Sequence, residues 1–178
     1  RFQRAELPKI IVEVTEYRGH ARTCSCCGEV TQAIIPAEIR AHAFGPRLVA
    51  TLSYFSGCHG MSKRGVEETC EVVFGVPISV GTVCNLEQEV SKALAEPHCQ
   101  AVEAVRASTV KYADETSWKK KGVKCWLWAA AVTDCVAAFV IHSTRSALGM
   151  ASLLGETVSG YLHSDRYSTY AEVPANRR

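Results

Sequence analysis

The 178 residues carry 20 Lys/Arg against 18 Asp/Glu, a formal charge of +2, and 47% of them are hydrophobic. The chain is long enough to bury the core of one good-sized domain with an appendage, and its near balance of charge neither demands nor excludes a nucleic-acid partner. No run approaches a membrane span and no signal-peptide pattern opens the chain, so the expectation is a cytoplasmic protein with no membrane partner. Nine cysteines, odd in number and scattered through apolar runs, read as reduced thiols instead of a disulfide framework.

The chain opens with Arg1 instead of Met, and a strand-like segment is expected almost at once. Residues 1–36 contain Cys24-Ser25-Cys26-Cys27-Gly28, in which Cys24 and Cys27 form a C-x-x-C knuckle followed by glycine, half of a zinc ribbon. Four ligands are needed to hold a structural Zn²⁺; Cys26 and His20 are nearby candidates, and Cys58 with His59 are more distant ones. Cys70, Cys84, Cys125 and Cys135 read instead as small core residues.

Residues 37–107 read as helical. One apolar stripe follows Pro46 through Leu48, Leu52 and Phe55, and a second follows Ser62 through Val66, Cys70 and Val73. After a turn over Gly75-Val76-Pro77-Ile78, Ser79 is a good N-cap for a third stripe through Val80, Val83, Val90 and Leu94, which Pro97 is expected to close. Helix, tight turn, helix over Ser62 to Leu86 is a helix-turn-helix-like layout, with Thr82, Asn85 and Gln88 presented by its second helix. Charge argues for a scaffold or subunit-contact role here: residues 65–110 carry two Lys/Arg against seven Asp/Glu, whereas residues 1–64 carry nine against five and residues 111–178 nine against six. DNA contact is therefore expected in the flanking thirds.

Residues 108–178 alternate as a sheet. Val110 to Trp118 forms a strand, Lys119-Lys120-Lys121-Gly122 a turn, and Lys124 to Val132 a strand apolar on both faces and hence central. Cys135 to His142 is again apolar on both faces. Ala147, Met150, Ala151 and Leu154 then recur at helical spacing up to Gly155, and a last strand lies over residues 160–165. This β-β-β-α-β order places the fourth strand parallel to the first if the helix is a crossover. Asp114 and Asp165, each at the end or edge of an apolar run, then converge as two hard oxygen donors suited to Mg²⁺ or Mn²⁺. The competing reading has Asp114 starting a turn and Asp165 capping a helix near Tyr167. Glu115 points away from Asp114, because adjacent strand residues face opposite sides, and so reads as structural or supporting. Trp118, Trp126 and Trp128 are expected to pack more than to stack on bases. Lys119, Lys120, Lys121 and Lys124 suit phosphate contact and, equally, an ordinary solvated turn.

The run Asp114-Glu115-Thr116-Ser117-Trp118, then Gly122, Trp126-Leu127-Trp128, Arg145 and Gly160-Tyr161-Leu162-His163-Ser164-Asp165-Arg166-Tyr167-Ser168-Thr169-Tyr170, resembles the core of bacterial transposases of the insertion-sequence-sixty-six type. The resemblance extends over nearly all of the chain, although Ser117 stands where those enzymes more often have glycine. It implies a DDE enzyme with an RNase H-like fold that cleaves and joins DNA, in which Asp114 and Asp165 are the first two of three acidic metal ligands. It also implies a third ligand, a Glu, well beyond Tyr170, and a second cysteine pair before Arg1. The expectation is accordingly a chain truncated at both ends, inactive or impaired alone.

The fold class is thus expected to be α+β: a partial zinc-ribbon-like segment over 1–36, a helical region with the helix-turn-helix-like pair over 37–107, and the front of an RNase H-like catalytic domain over 108–178. The expected function is DNA transposition, with Mg²⁺ or Mn²⁺ at Asp114 and Asp165, Zn²⁺ as a second metal at Cys24 and Cys27, and DNA contacts from Lys119, Lys120, Lys121, Lys124 and Arg166. Partners would be transposon ends and target DNA, further copies of the chain, and helper proteins of the element. The alternative is a non-catalytic DNA-binding remnant of such an enzyme.

Overall fold

A computed structural model describes residues 1–133 and 136–178; the expected core position Cys135 lies outside them. The chain divides into two compact units, Arg1–Lys92 and Ala93–Arg178.

In the first unit, regular structure begins later than expected. Residues 1–20 carry no strand or helix, and the first strand is β1, Ala21–Thr23, paired antiparallel with β2, Val30–Gln32. The apolar residues Ile10, Ile11 and Val14 are exposed, because a lone segment with no partner ladder gains too little to order as a strand. The knuckle joins β1 to β2: the Cys24 amide donates to the Glu29 carbonyl at 2.7 Å and the Gly28 amide to the Cys24 carbonyl at 3.0 Å, with Gly28 at φ 72°.

Four helices follow: α1 (Ala37–Ala41), α2 (Pro46–Gly57), α3 (Lys63–Phe74) and α4 (Val80–Ala93). Pro46 occupies the first turn of α2, where its missing N–H would have had no helical acceptor. Ser62 caps α3 by accepting from the Gly65 amide at 3.1 Å, and Gly75 ends it in the left-handed conformation. Ser79 caps α4 by accepting from the Thr82 amide at 3.2 Å. Glu67 on α3 reaches the same helix start, accepting from the Val80 amide at 3.2 Å. The core of the unit is Leu52, Val66, Cys70, Val83 and Leu86. Val73 and Leu94 were expected on apolar stripes and are exposed; the inward faces of α3 and α4 instead turn on Val66 with Cys70 and on Val83 with Leu86.

The second unit opens with α5 (Ala95–Ala107), where Pro97 was expected to close a helix. Pro97 sits in the first turn of this new helix, and a proline there costs no hydrogen bond. The strands β3 (Val110–Lys120), β4 (Val123–Val132), β5 (Val136–His142) and β6 (Tyr161–His163) form one sheet in the order β5-β4-β3-β6, with α6 (Ala147–Leu154) between β5 and β6. β3, β4 and β5 pair antiparallel as a meander, and β6 returns parallel to β3. β4 is an inner strand, paired along both edges, as expected. Lys121 (φ 50°) and Gly122 (φ 80°) make the two-residue turn between β3 and β4, both in the left-handed conformation that matches strand twist.

Helices α5 and α6 cover one face of the sheet. Val102 and Val105 of α5 and Met150, Leu153 and Leu154 of α6 pack with Ala113, Trp128, Ala130, Ala138 and Leu162, and Tyr170 and Val173 join this core. Arg106 ties the two helices, donating through Nε to the Leu153 carbonyl and through Nη2 to the Ser152 carbonyl, both at 3.0 Å, where the end of α6 leaves carbonyls unpaired. Lys111 is fully buried on the same side; its ammonium donates to the carbonyls of Arg106 (3.0 Å) and Ser159 (2.8 Å) and so fastens the chain before β3 to the chain before β6.

Candidate functional site

Alternation along β3 divides its side chains. Lys111, Ala113 and Glu115 are buried under the helices, and Tyr112, Asp114 and Thr116 emerge on the exposed face. Asp114 lies mid-strand, opposite Ala129 of β4, so it does not begin a turn. On the other side of β3 the parallel ladder pairs Val110 with Tyr161, Lys111 with Leu162 and Tyr112 with His163. The rings of Tyr112 and His163 stack with centroids 5.0 Å apart. Asp114 stands on β3 two residues beyond Tyr112, and Asp165 two residues beyond His163, past the end of β6 and outside the parallel ladder instead of on a strand as expected.

Both carboxylates are exposed, and each has one local hydrogen bond: Asp114 Oδ1 accepts from the Glu115 amide and Asp165 Oδ1 from the Tyr167 amide, each at 2.9 Å. The second bond is a local turn; the 3₁₀ turn Ser168–Glu172 that follows has Tyr167 as its N-cap and no side-chain cap, so Asp165 does not cap it. Each aspartate keeps its other oxygen free of hydrogen bonds among the described residues. As a donor set, the pair offers exposed, hard oxygens with no competing cationic side chain in an ion pair, which suits a divalent cation. No group of three or more His, Cys, Asp or Glu side chains that could hold a metal occurs among the described residues.

Glu115, on the opposite face of β3, is the centre of a network for which residue spacing gave no signal. Its side chain is fully buried, and Oε1 accepts from Arg145 Nε at 2.8 Å and Nη2 at 2.7 Å, while Oε2 accepts from the Tyr170 hydroxyl. The Arg145 guanidinium lies 3.8 Å from the centroid of the Tyr167 ring and 4.9 Å from that of Trp126, and the Tyr167 hydroxyl donates to the Arg145 carbonyl at 2.6 Å. The hydrogen bonds from Arg145 to Glu115 hold the guanidinium pKa above its ordinary value, with the Asp165 charge adding to the effect. Burial, then the bond to Glu115, raises the Tyr170 phenol, and Asp114 and Asp165 contribute further. Both aspartates therefore act electrostatically on one phenolic oxygen.

The other expected site residues fall in two places. Lys119, Lys120, Lys121 and Lys124 are all exposed around the β3–β4 turn, with Lys124 Nζ 5.2 Å from the Trp126 ring centroid, and Arg166 is exposed directly after Asp165. Trp128 is buried as expected and Trp126 partly so, whereas Trp118 is half-exposed at the end of β3, where the hairpin runs beyond the helices. In the first unit Cys24 and Cys27 flank the knuckle turn. Hydrogen bonds from the Cys27 and Cys26 amides to Cys24 lower its thiol pKa, which favours the thiolate that a metal requires. His20 and Cys26, or Cys58 and His59, do not assemble with this pair into a three-donor group among the described residues.

Two comparisons bear on identity. None of the curated proteins matches the chain. The family model described as Transposase IS66 family matches residues 42–178, which takes in α2, α3 and α4 of the first unit and the whole of the second. The chain belongs to the IS66 family of transposases.

Proposed function

We propose that the second unit is an RNase H-like catalytic half-domain in which Asp114 and Asp165 together hold divalent cations for cleavage and joining of DNA. The observation that supports this reading is the parallel β3–β6 register, whose last pair, Tyr112 with His163, stands two residues before each aspartate in sequence. Mg²⁺ or Mn²⁺ bound there would activate the attacking water or 3′-hydroxyl and stabilise the leaving oxygen of an in-line displacement at a phosphodiester. Asp114 contributes its oxygens from a strand fixed on both sides by ladders, and Asp165 from a segment held by Tyr167 and Tyr170. The Lys119, Lys120, Lys121 and Lys124 cluster and Arg166 contact DNA phosphates, positioning the duplex without reading its sequence. Cys24 and Cys27 supply half of a zinc ribbon, and the acidic α3–α4 pair acts as scaffold.

Mn²⁺ binding by this chain, followed by electron paramagnetic resonance, tests the carboxylate pair. The parent is expected to bind Mn²⁺ at a site that both Asp114→Asn and Asp165→Asn abolish or weaken at least tenfold. Binding by either variant at the parental affinity overturns the assignment.

A further inference from the structure

Glu115 is, beside Lys111, a buried charge on the helix-covered face of β3, and its hydrogen bonds go to Arg145 and to the segment that follows Asp165. Its two oxygens hold three donors: two from Arg145, the residue just before α6 begins, and one from Tyr170, five residues after Asp165. Tyr167 closes the circuit, since its ring covers the Arg145 guanidinium and its hydroxyl bonds the Arg145 carbonyl. β6 itself ends at His163, so past that point no ladder fixes the chain to β3. Asp165 lies between the last ladder pair and the two clamped tyrosines.

We propose that Glu115 is a positioning residue for the carboxylate pair: through Tyr170, Arg145 and Tyr167 it holds the segment 164–170 so that Asp165 stays beside Asp114, although Glu115 itself faces away from both. The proposal rests on the reading of Asp114 and Asp165 as cation ligands. It makes the spacing of the two donors depend on a buried group on the far side of the strand. A carboxylate displaced by even an ångström no longer shares a cation with its partner, and groups that orient metal ligands in this way commonly set affinity by 10–100-fold.

Tyr170→Phe removes one hydroxyl while leaving the ring against Trp128, where the centroids are 6.3 Å apart; Glu115→Gln keeps the side-chain shape and removes the charge. Val136→Ala, a core truncation on the far strand β5, serves as a control for lost stability. Mn²⁺ affinity and thermal midpoint are measured for the full chain carrying each change, beside Asp114→Asn. The expected result is Mn²⁺ affinity weakened 10–100-fold in Tyr170→Phe and Glu115→Gln and unchanged in Val136→Ala. If Asp114→Asn loses Mn²⁺ while folded Tyr170→Phe binds it as the parent does, the positioning role is overturned and the carboxylate pair stands. Equal weakening in Val136→Ala also overturns it, because stability alone then explains the loss. A parent that binds no Mn²⁺, or an Asp114→Asn variant that binds normally, removes the pair itself and this proposal with it.

Discussion

Gly149→Ala should destabilise the second unit even though alanine is the better helix former. Gly149 is buried on α6, and a Cβ placed there would lie 2.5 Å from Trp128 Nε1, 2.6 Å from its Cε2 and 2.7 Å from the Thr144 carbonyl oxygen. Ordinary contact begins near 3.4 Å, so α6 or the indole must retreat by about 1 Å. Neither can do so freely: Trp128 is buried between α6 and Tyr170, its indole N–H donates to that same Thr144 carbonyl, and the third obstacle is backbone. Contacts this short against an indole and backbone put the overpacking cost at about 2–3 kcal/mol, against about 1 kcal/mol gained from replacing a helical glycine, which leaves a net loss of about 1–2 kcal/mol. For a unit of this size that corresponds to a midpoint lowered by roughly 5–15 °C. Differential scanning calorimetry with near-ultraviolet circular dichroism of the tryptophans is the assay. A midpoint that stays put or rises would refute the close approach of α6 to Trp128.

Two further outcomes are expected. Burial holds the folded-state pKa of Lys111 below its ordinary 10.5, so the unfolded chain binds that proton more tightly; the contribution is lost as pH falls through the folded pKa and complete above 10.5. Relative to Lys111→Met, the parent should therefore gain stability as pH rises towards 10.5, which urea titration at several pH values would detect. In the first unit, Ser62→Ala removes the side-chain cap of α3 and should cost about 1 kcal/mol, read as a lower urea midpoint with an unchanged slope, with little change when Ser62 is replaced by Asp.

The meander, the crossover and the parallel return of β6 were legible in the sequence because each strand carries apolar residues on the faces it buries, and Gly122 and Gly155 mark the ends. Ser79 was legible for the same local reason: a cap acts within three residues of itself. α5 was not, since Pro97 ends a helix or begins one according to which side supplies the apolar face, and Val102 and Val105 gain that face only from a sheet formed later in the chain. The early strand failed in the opposite way, as an apolar run with no ladder to join. The parallel pairing of β6 with β3 follows from the topology, but where β6 stops does not: its ladder ends at His163, short of Asp165.

The network around Glu115 was beyond reach for a different reason. Period-two alternation establishes that Glu115 faces away from Asp114, and a carboxylate facing a helix-covered side must be neutralised or hydrogen-bonded to be tolerated there. Alternation cannot name the partners, which lie 30 and 55 residues away at Arg145 and Tyr170. Yet the requirement itself constrains them: a cation with a fork of donors, and a hydroxyl with an apolar body that can be buried. Arg145 sits where the chain turns into α6 and Tyr170 where it leaves the Asp165 segment, so neutralising one buried charge also fastens the start of the crossover and the segment after β6 to β3. Burying Glu115 on the side of β3 opposite Asp114 thereby couples the stability of the unit to the placement of Asp165, a link that neither residue's local sequence contains.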